Sequence, residues 1–392
     1  MTGGGARPPL DGLKVLELAR ILAGPWIGQT LADLGAEVIK VESPAGDDTR
    51  NWGPPFVEGE DGPLDAAYFH CANRGKSSVV IDFATAEGQA ELRALAAEAD
   101  ILIENFKTGG LVKYGLDYDS LSALNPRLIY CSVTGFGQTG PYATRAGYDY
   151  IIQGMSGIMD LTGDPAQPPQ KIGVAFADIF TGLYGVIAIE AALLERERSG
   201  RGQHIDMALY DSMVGVLANQ GQSYLTSGVV PQRLGNAHPS IAPYQVFPVS
   251  DGHLIIAVGN DGQFARLCAL LDLGQLVADP AYATNPARVA NRSALAQLIS
   301  AKTQQIPRDT LLAQLEEAGV PGGPINTVGD VFEDPQVIAR GLRIDLPHEG
   351  AKGGTVPGIR SPIRFSRSPL RLDRGAPRHG GRTGGSTGGA DT

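Results

Sequence analysis

LKVLELARILAGPWIGQTLADLGAEVIKV, residues 13–41, changes its hydrophobic period twice. Leu13 to Leu18 is apolar-rich like a strand, Pro25 to Leu34 carries apolar residues at helical spacing, and Glu37 to Val41 returns to a strand pattern. The same succession recurs downstream. Ser77 to Asp82 (SSVVID) leads into a helix through Leu92 and Leu95, Ile101 to Glu104 is strand-like, and Leu128 to Val133 (LIYCSV) follows a short helical piece. Strands alternating with helices at this spacing predict right-handed βαβ units. The fold class is therefore α/β, with a Rossmann-like, doubly wound parallel sheet covered by helices on both faces.

Further along, a helix is predicted from about Ile179 to Arg198, stopped by Gly200 and Gly202, and HIDMAL (204–209) alternates like a strand. From Ser227 the composition shifts towards Gly and Pro. A smaller α/β unit is expected from Tyr244 to about Val328, with HLIIAVG (253–259) as a strand and a helix from Gln263. This divides the chain into a large domain over 1–226, a small one over 227–329, a return segment over 330–372 completing the large domain, and a Gly-rich tail over 373–392 without order.

With 392 residues, 43% of them hydrophobic, the chain can bury a large core. Its net charge of −10 argues against broad binding to nucleic acid or anionic membranes, while a local basic cluster could still hold an anion. Cys71, Cys131 and Cys268 are widely spaced and odd in number, which fits neither a disulfide framework nor a paired metal motif and predicts a reducing cytoplasm. The start MTGGGARPPLDG lacks a signal-peptide core, and no apolar run is expected to approach the roughly 20 residues that span a bilayer.

Several motifs fall short of the chemistry they suggest. GFGQTG (135–140) matches GxGxxG, but the following PYATRAGYDY lacks the apolar stripe of the helix that would receive a pyrophosphate. QGMSGI (153–158) misses the nucleophile elbow GxSxG, with Ile158 where glycine is needed. The six histidines include no HExxH pair, so no metal is expected, and His238 reads as a hydrogen-bonding loop residue.

KIGVAFADIFTG (171–182) places one carboxylate, Asp178, among Val174, Ala175, Phe176, Ala177 and Ile179, just ahead of the long helix. Two readings stand. Aspartate is a favoured N-cap, contributing about 1 kcal/mol. Alternatively, the apolar neighbours desolvate the carboxylate while the helix dipole keeps it ionised, which would make it a nucleophile.

LAGPWIGQTLADLGAEVIKVE, NRGKSS, LIENF, GFGQTGPY, AGYDYIIQGMSG, GVAFADIFTGLYG and GVPGGPIN, in this order over nearly the whole chain, resemble the class III CoA-transferases. That family includes formyl-CoA, carnitine and dicarboxylate CoA-transferases and the 2-methylacyl-CoA racemases. The resemblance implies two domains, an interlocked homodimer, acyl-CoA and a free carboxylic acid as substrates, and no permanently bound cofactor. It places Asp178 at the catalytic aspartate, which would form anhydride and aspartyl-CoA thioester intermediates. It also implies CoA contacts at Ile21 and Leu22, at Ile81, Asp82, Phe83 and Ala84, at Asn105, Phe106, Lys107 and Lys113, and at Ala146, Gly147, Tyr148 and Asp149. Lys107 and Lys113 would hold phosphates.

GNDGQ (259–263) matches a glycine-rich loop that covers the site in formyl-CoA transferase, so Gly259, Asn260, Asp261 and Gly262 are candidate lid residues. Leu22 and Ser43 stand where that enzyme has glutamine and arginine, which weighs against formyl or oxalyl groups. Racemases of the family place a histidine where this chain has Tyr148. A phenol, with pKa about 10, is a poor partner for proton abstraction, so transfer is favoured over racemisation. GDDTRNWGPPF, GNAHPSIAPYQVF and AVGNDGQF look most like succinyl-CoA:glutarate-type enzymes, and Arg50 and Arg145 are candidates for the distal carboxylate. A racemase, or a non-catalytic acyl-CoA binding subunit, is the alternative. LDRGAPRHGG departs from the helix that usually ends family members.

Overall fold

A computed structural model describes residues 6–381. The chain divides into two compact units, one of Met1–Ile158, Ile172–Thr226 and Pro335–Thr392, the other of Met159–Lys171 and Ser227–Asp334.

In the large unit, Lys14–Glu17 (β1), Ala23–Asp33 (α1) and Glu37–Glu42 (β2) form the first βαβ unit. Lys76–Val80 (β3), Ala86–Glu98 (α2), Ile101–Glu104 (β4) and Ile129–Thr134 (β5) continue it. After the short helix Asp149–Met155 (α3) come the long helix Phe176–Ser199 (α4) and the strand His204–Ala208 (β6). All six strands are parallel, in the order β3-β2-β1-β4-β5-β6. The order reverses direction between β1 and β4, so the C-terminal ends of these two strands bound the crevice where doubly wound sheets take ligands.

The sheet is apolar on both faces, as parallel sheets are. Val15, Ile101, Ile103, Ile129, Cys131 and Val133 pack with α1 and α4, while Leu16, Leu18, Leu102, Leu128 and Tyr130 pack with α2. Helix α4 is long and apolar enough, by length and composition, to cross a membrane, contrary to the expectation that no run comes close. Its apolarity has a use within the fold, because it packs against α1, β5 and β6.

In place of a disordered tail from residue 373, residues 373–381 run along the edge strand β3. The Gly75 N–H donates to the Arg374 and Gly375 carbonyls, the Ser78 N–H donates to the Gly381 carbonyl, and the Gly380 N–H donates to the Ser78 hydroxyl. The rest of the expected tail, 382–392, lies outside the described residues.

The small unit is built on an antiparallel sheet of Tyr244–Val249 (β7), Gly252–Ala257 (β8) and Gly322–Pro324 (β9). Phe247, Leu254 and Ile256 of the sheet form its core with Phe264 and Leu267 of Asp261–Leu270 (α5), Leu295 and Ile299 of Arg292–Thr303 (α6), and Leu311 and Leu315 of Arg308–Glu317 (α7). Arg233 fastens residues 160–167 to this unit through the carbonyls of Asp160, Asp164 and Gln167.

Candidate active site

Asp178 is the third residue of α4, and it does not cap it: the N-cap position is Ala175, which makes no side-chain cap bond. Capping comes instead from another element. Asp149, the first residue of α3, accepts a 2.9 Å hydrogen bond from the Ala177 N–H through Oδ1. Its Oδ2 accepts at 2.8 Å from Nε2 of Gln153, a fully buried side chain whose Oε1 accepts at 2.9 Å from the Ile172 N–H. Gln153 therefore ties α3 to the strap that leads into α4.

The carboxylate of Asp178 is set against the start of α1, because α4 and α1 approach closely. A Cβ on Gly182 would lie 3.1 Å from the Ala23 carbonyl and 3.0 Å from the Trp26 ring, and one on Gly185 would lie 2.5 Å from Ile27. The glycines of TGLYG make that approach possible. Burial raises the Asp178 pKa, the Asp149 carboxylate raises it further, and the Ala23 backbone N–H opposes both. The outcome is a group pushed up to about 7. Helix dipoles alone do not keep it ionised, as the sequence suggested; removal from water outweighs them. Nearby, burial and then Asp178 itself push the Tyr68 phenol up to about 12, so it stays an O–H donor. Trp52 stands edge-on to it with ring centroids 5.3 Å apart.

From Ala23 the expected contact residues continue as a track along the switch point. Leu22 is the N-cap of α1, and Ile21 before it has φ 73°, a left-handed conformation that a β-branched residue adopts only when held. It is held on both sides. Asn105, just past β4, bonds both backbone groups of Arg20, accepting from its N–H at 2.9 Å and donating to its carbonyl at 2.6 Å. The Asp47 carboxylate accepts from the Ile21 N–H at 3.3 Å and is itself paired with the fully buried Lys40 at 2.9 Å. Lys40 shares the buried Glu17 carboxylate with Lys76.

Beyond Asn105, the Phe106 ring meets Phe83 edge to face at 5.5 Å, Phe83 meets Tyr114 at 5.3 Å, and the Lys113 ammonium stands over the Tyr114 ring at 4.6 Å. Ile21, Asn105, Phe106, Phe83 and Lys113 thus lie on one connected path from Asp178. Leu22 and Ile81 are buried. Asp82 turns its own carboxylate back on the Ala84 N–H. Lys107 lines a cavity of about 290 Å3 with Glu104, Tyr118, Ser132 and His204.

Arg50 is not available for a substrate. Its guanidinium bonds both oxygens of Glu42, Asp65 at 2.6 Å and the Pro377 carbonyl, and it lies over the Phe69 ring at 3.7 Å. Arg145 is exposed, resting on the Tyr142 ring at 4.0 Å. It precedes Ala146 and Gly147, whose backbone packs against Gly135 so closely that a Cβ on Gly147 would lie 2.4 Å from the Gly135 Cα. GFGQTG therefore serves as a packing turn. Tyr148 is 66% exposed.

In the small unit, Gly259 to Gln263 is a helix start. Asn260 caps α5 through the Gln263 N–H, the Gly259 N–H donates to the Gln263 side chain, and Asp261 pairs at 2.7 Å with the buried Arg288. Asn260 and Asp261 are thus engaged in structure. Among the described residues no group of three metal-ligating side chains occurs.

Gln153 and Tyr68 were not singled out from sequence. QGMSG falls in a stretch that resembles the family and in a near-miss serine motif, but nothing in it points to Gln153, and DAAYFH carries no pattern that would mark a site.

The chain is similar to known proteins over nearly its whole length. The chain is 60% identical over 376 residues to a succinate–glutarate CoA-transferase of Agrobacterium fabrum, covering 95% of this chain and 94% of that protein. It is 41% identical to the human succinyl-CoA:glutarate CoA-transferase, over 94% of this chain and 83% of that protein. The crystal structure of a CaiB/BaiF family protein from Brucella suis superposes with a TM-score of 0.86 at 66% identity, covering 95% of this chain and 97% of that one. The family model described as CoA-transferase family III matches residues 10–383, and the chain belongs to that family of enzymes.

Proposed function

We propose that this enzyme moves CoA from succinyl-CoA to a dicarboxylate, glutarate foremost, with Asp178 as covalent nucleophile. The observation that carries the mechanism is the desolvated Asp178 carboxylate, poised at about 7 and facing the α1 N-terminus. The substrate reading rests on similarity to succinate–glutarate CoA-transferases.

Asp178 adds to the acyl-CoA carbonyl, the C–S bond breaks, and CoA leaves as thiolate while an acyl-aspartyl anhydride remains. The thiolate adds to the aspartyl carbonyl and the donor acid leaves as a carboxylate, giving an aspartyl-CoA thioester. The acceptor carboxylate attacks this thioester, again releasing thiolate, which takes the acceptor acyl group and returns Asp178 as a carboxylate. No proton or water enters the balance, so excluding water preserves the thioester. Negative charge develops on oxygen at each addition, and the Ala23 N–H with the positive end of α1 is suited to receive it.

CoA would run along Ile21, Asn105, Phe106 and Phe83 to Lys113, with Lys107 a further phosphate partner and the backbones of Leu22, Ile81, Asp82 and Ala84 beside it. Ala146, Gly147, Tyr148 and Asp149 would border the thioester, and Arg145 would take the distal carboxylate. The active form is an interlocked homodimer in the cytoplasm, where the three free cysteines stay reduced.

A panel of free acids incubated with succinyl-CoA, with the CoA products read by mass spectrometry, tests the reading. Glutaryl-CoA formation supports it; turnover confined to monocarboxylates overturns it. Hydroxylamine trapping should convert Asp178 to its hydroxamate.

A further inference from the structure

The chain between β1 and α1 is gripped by side chains from other elements. Lys40 Nζ donates to the Ala19 carbonyl at 2.8 Å, Asn105 takes both backbone groups of Arg20, Asp47 accepts from the Ile21 N–H at 3.3 Å, and Lys76 Nζ donates to the Pro25 carbonyl at 2.9 Å. Between these holds lie Leu22 and Ala23, and the Ala23 N–H is the donor that bears on Asp178.

The holds are made with buried charge. The side chains of Lys40, Lys76, Asp47 and Glu17 have no exposed surface. Burial opposes ionisation of Asp47, but Lys40 outweighs it, so the carboxyl stays below its ordinary range and remains an acceptor. Its Oδ1 is fixed in turn by the Thr49 N–H at 3.0 Å and the Thr49 hydroxyl at 2.8 Å. Apolar residues of similar volume often serve stability as well as a buried ion pair does, so stability alone gives little reason for this one. The backbone that Asp47 grips gives a better reason. Ile21, at φ 73°, is in a conformation that glycine adopts freely and a β-branched residue resists. Relaxation of Ile21 to negative φ would swing Leu22 and Ala23 away from their present direction.

We propose that Asp47, backed by Lys40, is a positioning residue for CoA transfer, holding Ile21 left-handed so that the Ala23 N–H stays against the Asp178 carboxylate. The inference rests on Asp178 as the reacting group. If the grip is lost, the carboxylate loses the donor that opposes its burial, and the oxyanion formed at each addition loses the same donor. Asp149 and Tyr68 are the titratable groups that bear on Asp178, and both stay in place in the variants below.

The test is a pH titration of the Asp178 carboxyl in the full-length protein without substrate, by NMR of carbon-13 aspartate, with the signal assigned by its absence in Asp178→Asn. Asp47→Ala should raise the midpoint from about 7 by roughly one pH unit and lower kcat about tenfold or more. In the Ile21→Gly background the same change should move the midpoint far less, because glycine needs no grip to stay left-handed. A residue that only supported stability would show no such rescue. Asn105→Ala removes the neighbouring hold without disturbing the buried charges, so it serves if Asp47→Ala does not fold, and it should raise the midpoint with the same dependence on residue 21. Exchange retained by Asp178→Asn would refute Asp178 as nucleophile and leave these midpoints as they are. A folded Asp47→Ala protein with the wild-type midpoint, an equal shift with isoleucine or glycine at 21, or, where Asp47→Ala does not fold, an unmoved midpoint in Asn105→Ala, would overturn the proposal.

Discussion

Asp149 Oδ1 accepts the Ala177 N–H at 2.9 Å, so the carboxylate that fastens the start of α4 is also the negative charge that raises the pKa of Asp178, one residue on. One side chain thus fixes the position of Asp178 and tunes its protonation. The following expectations test both effects and the packing around them.

Asp178→Asn should reduce CoA exchange by several orders of magnitude, about 10³-fold or more, while acyl-CoA still binds, because an amide forms no anhydride. The same change should raise the melting temperature more at pH 8 than at pH 5. An acid raised from 3.8 to about 7 is destabilising once ionised, so the fold loses stability as pH climbs through that window. The amide escapes the loss. Scanning calorimetry at the two pH values checks it.

The rate should depend on pH in the matching sense. Attack needs the carboxylate, so kcat/KM should rise through about pH 7 and level off above it. CoA binding measured over the same range tells titration of Asp178 from titration of the CoA phosphates.

Gln153→Leu keeps the bulk but removes the amide that donates to Asp149 Oδ2 and accepts from the Ile172 N–H. We expect a loss of about 1–3 kcal/mol in stability by urea unfolding, with kcat falling more than acyl-CoA affinity. Unchanged kcat in a folded variant would mean that the start of α4 is held by other contacts.

The two arginines should separate cleanly. Arg50→Gln strands the buried Glu42 and half-buried Asp65 carboxylates and should cost about 3–5 kcal/mol. Arg145→Gln should leave the melting temperature within about 1 °C, as surface changes do, yet raise the KM for glutarate. Steady-state kinetics with succinyl-CoA saturating reads the second effect.

At Gly182 packing should overrule helix propensity. Alanine favours the helix over glycine by about 1 kcal/mol and valine by less, but Val there would press on the Ala23 carbonyl and Trp26 and cost about 1–3 kcal/mol. Exchange should fall as well, since the α1 N-terminus would be pushed away from Asp178.

The sequence by itself determined the order of strands and helices, because hydrophobic period depends only on local spacing: the pattern in residues 13–41 became β1, α1 and β2 within a few residues at each end. It also marked Asp178 as a carboxylate in apolar company, and its resemblance to CoA-transferases held over the chain. Only the tertiary structure decided what each charged group faces. Arg50 looked free for a substrate until the fold closed Glu42, Asp65 and the Pro377 carbonyl around it. Asp178 looked like a cap until Asp149, distant in sequence, took that role, and Gln153 gained its meaning only once α3 lay beside the strap before α4. Residues 373–381 read as a loose tail because glycine-rich sequence has no period, yet the open hydrogen-bonding edge of β3 gave them partners. Periodicity is encoded along the chain, whereas hydrogen-bond partners and desolvation are set by what folding brings into contact.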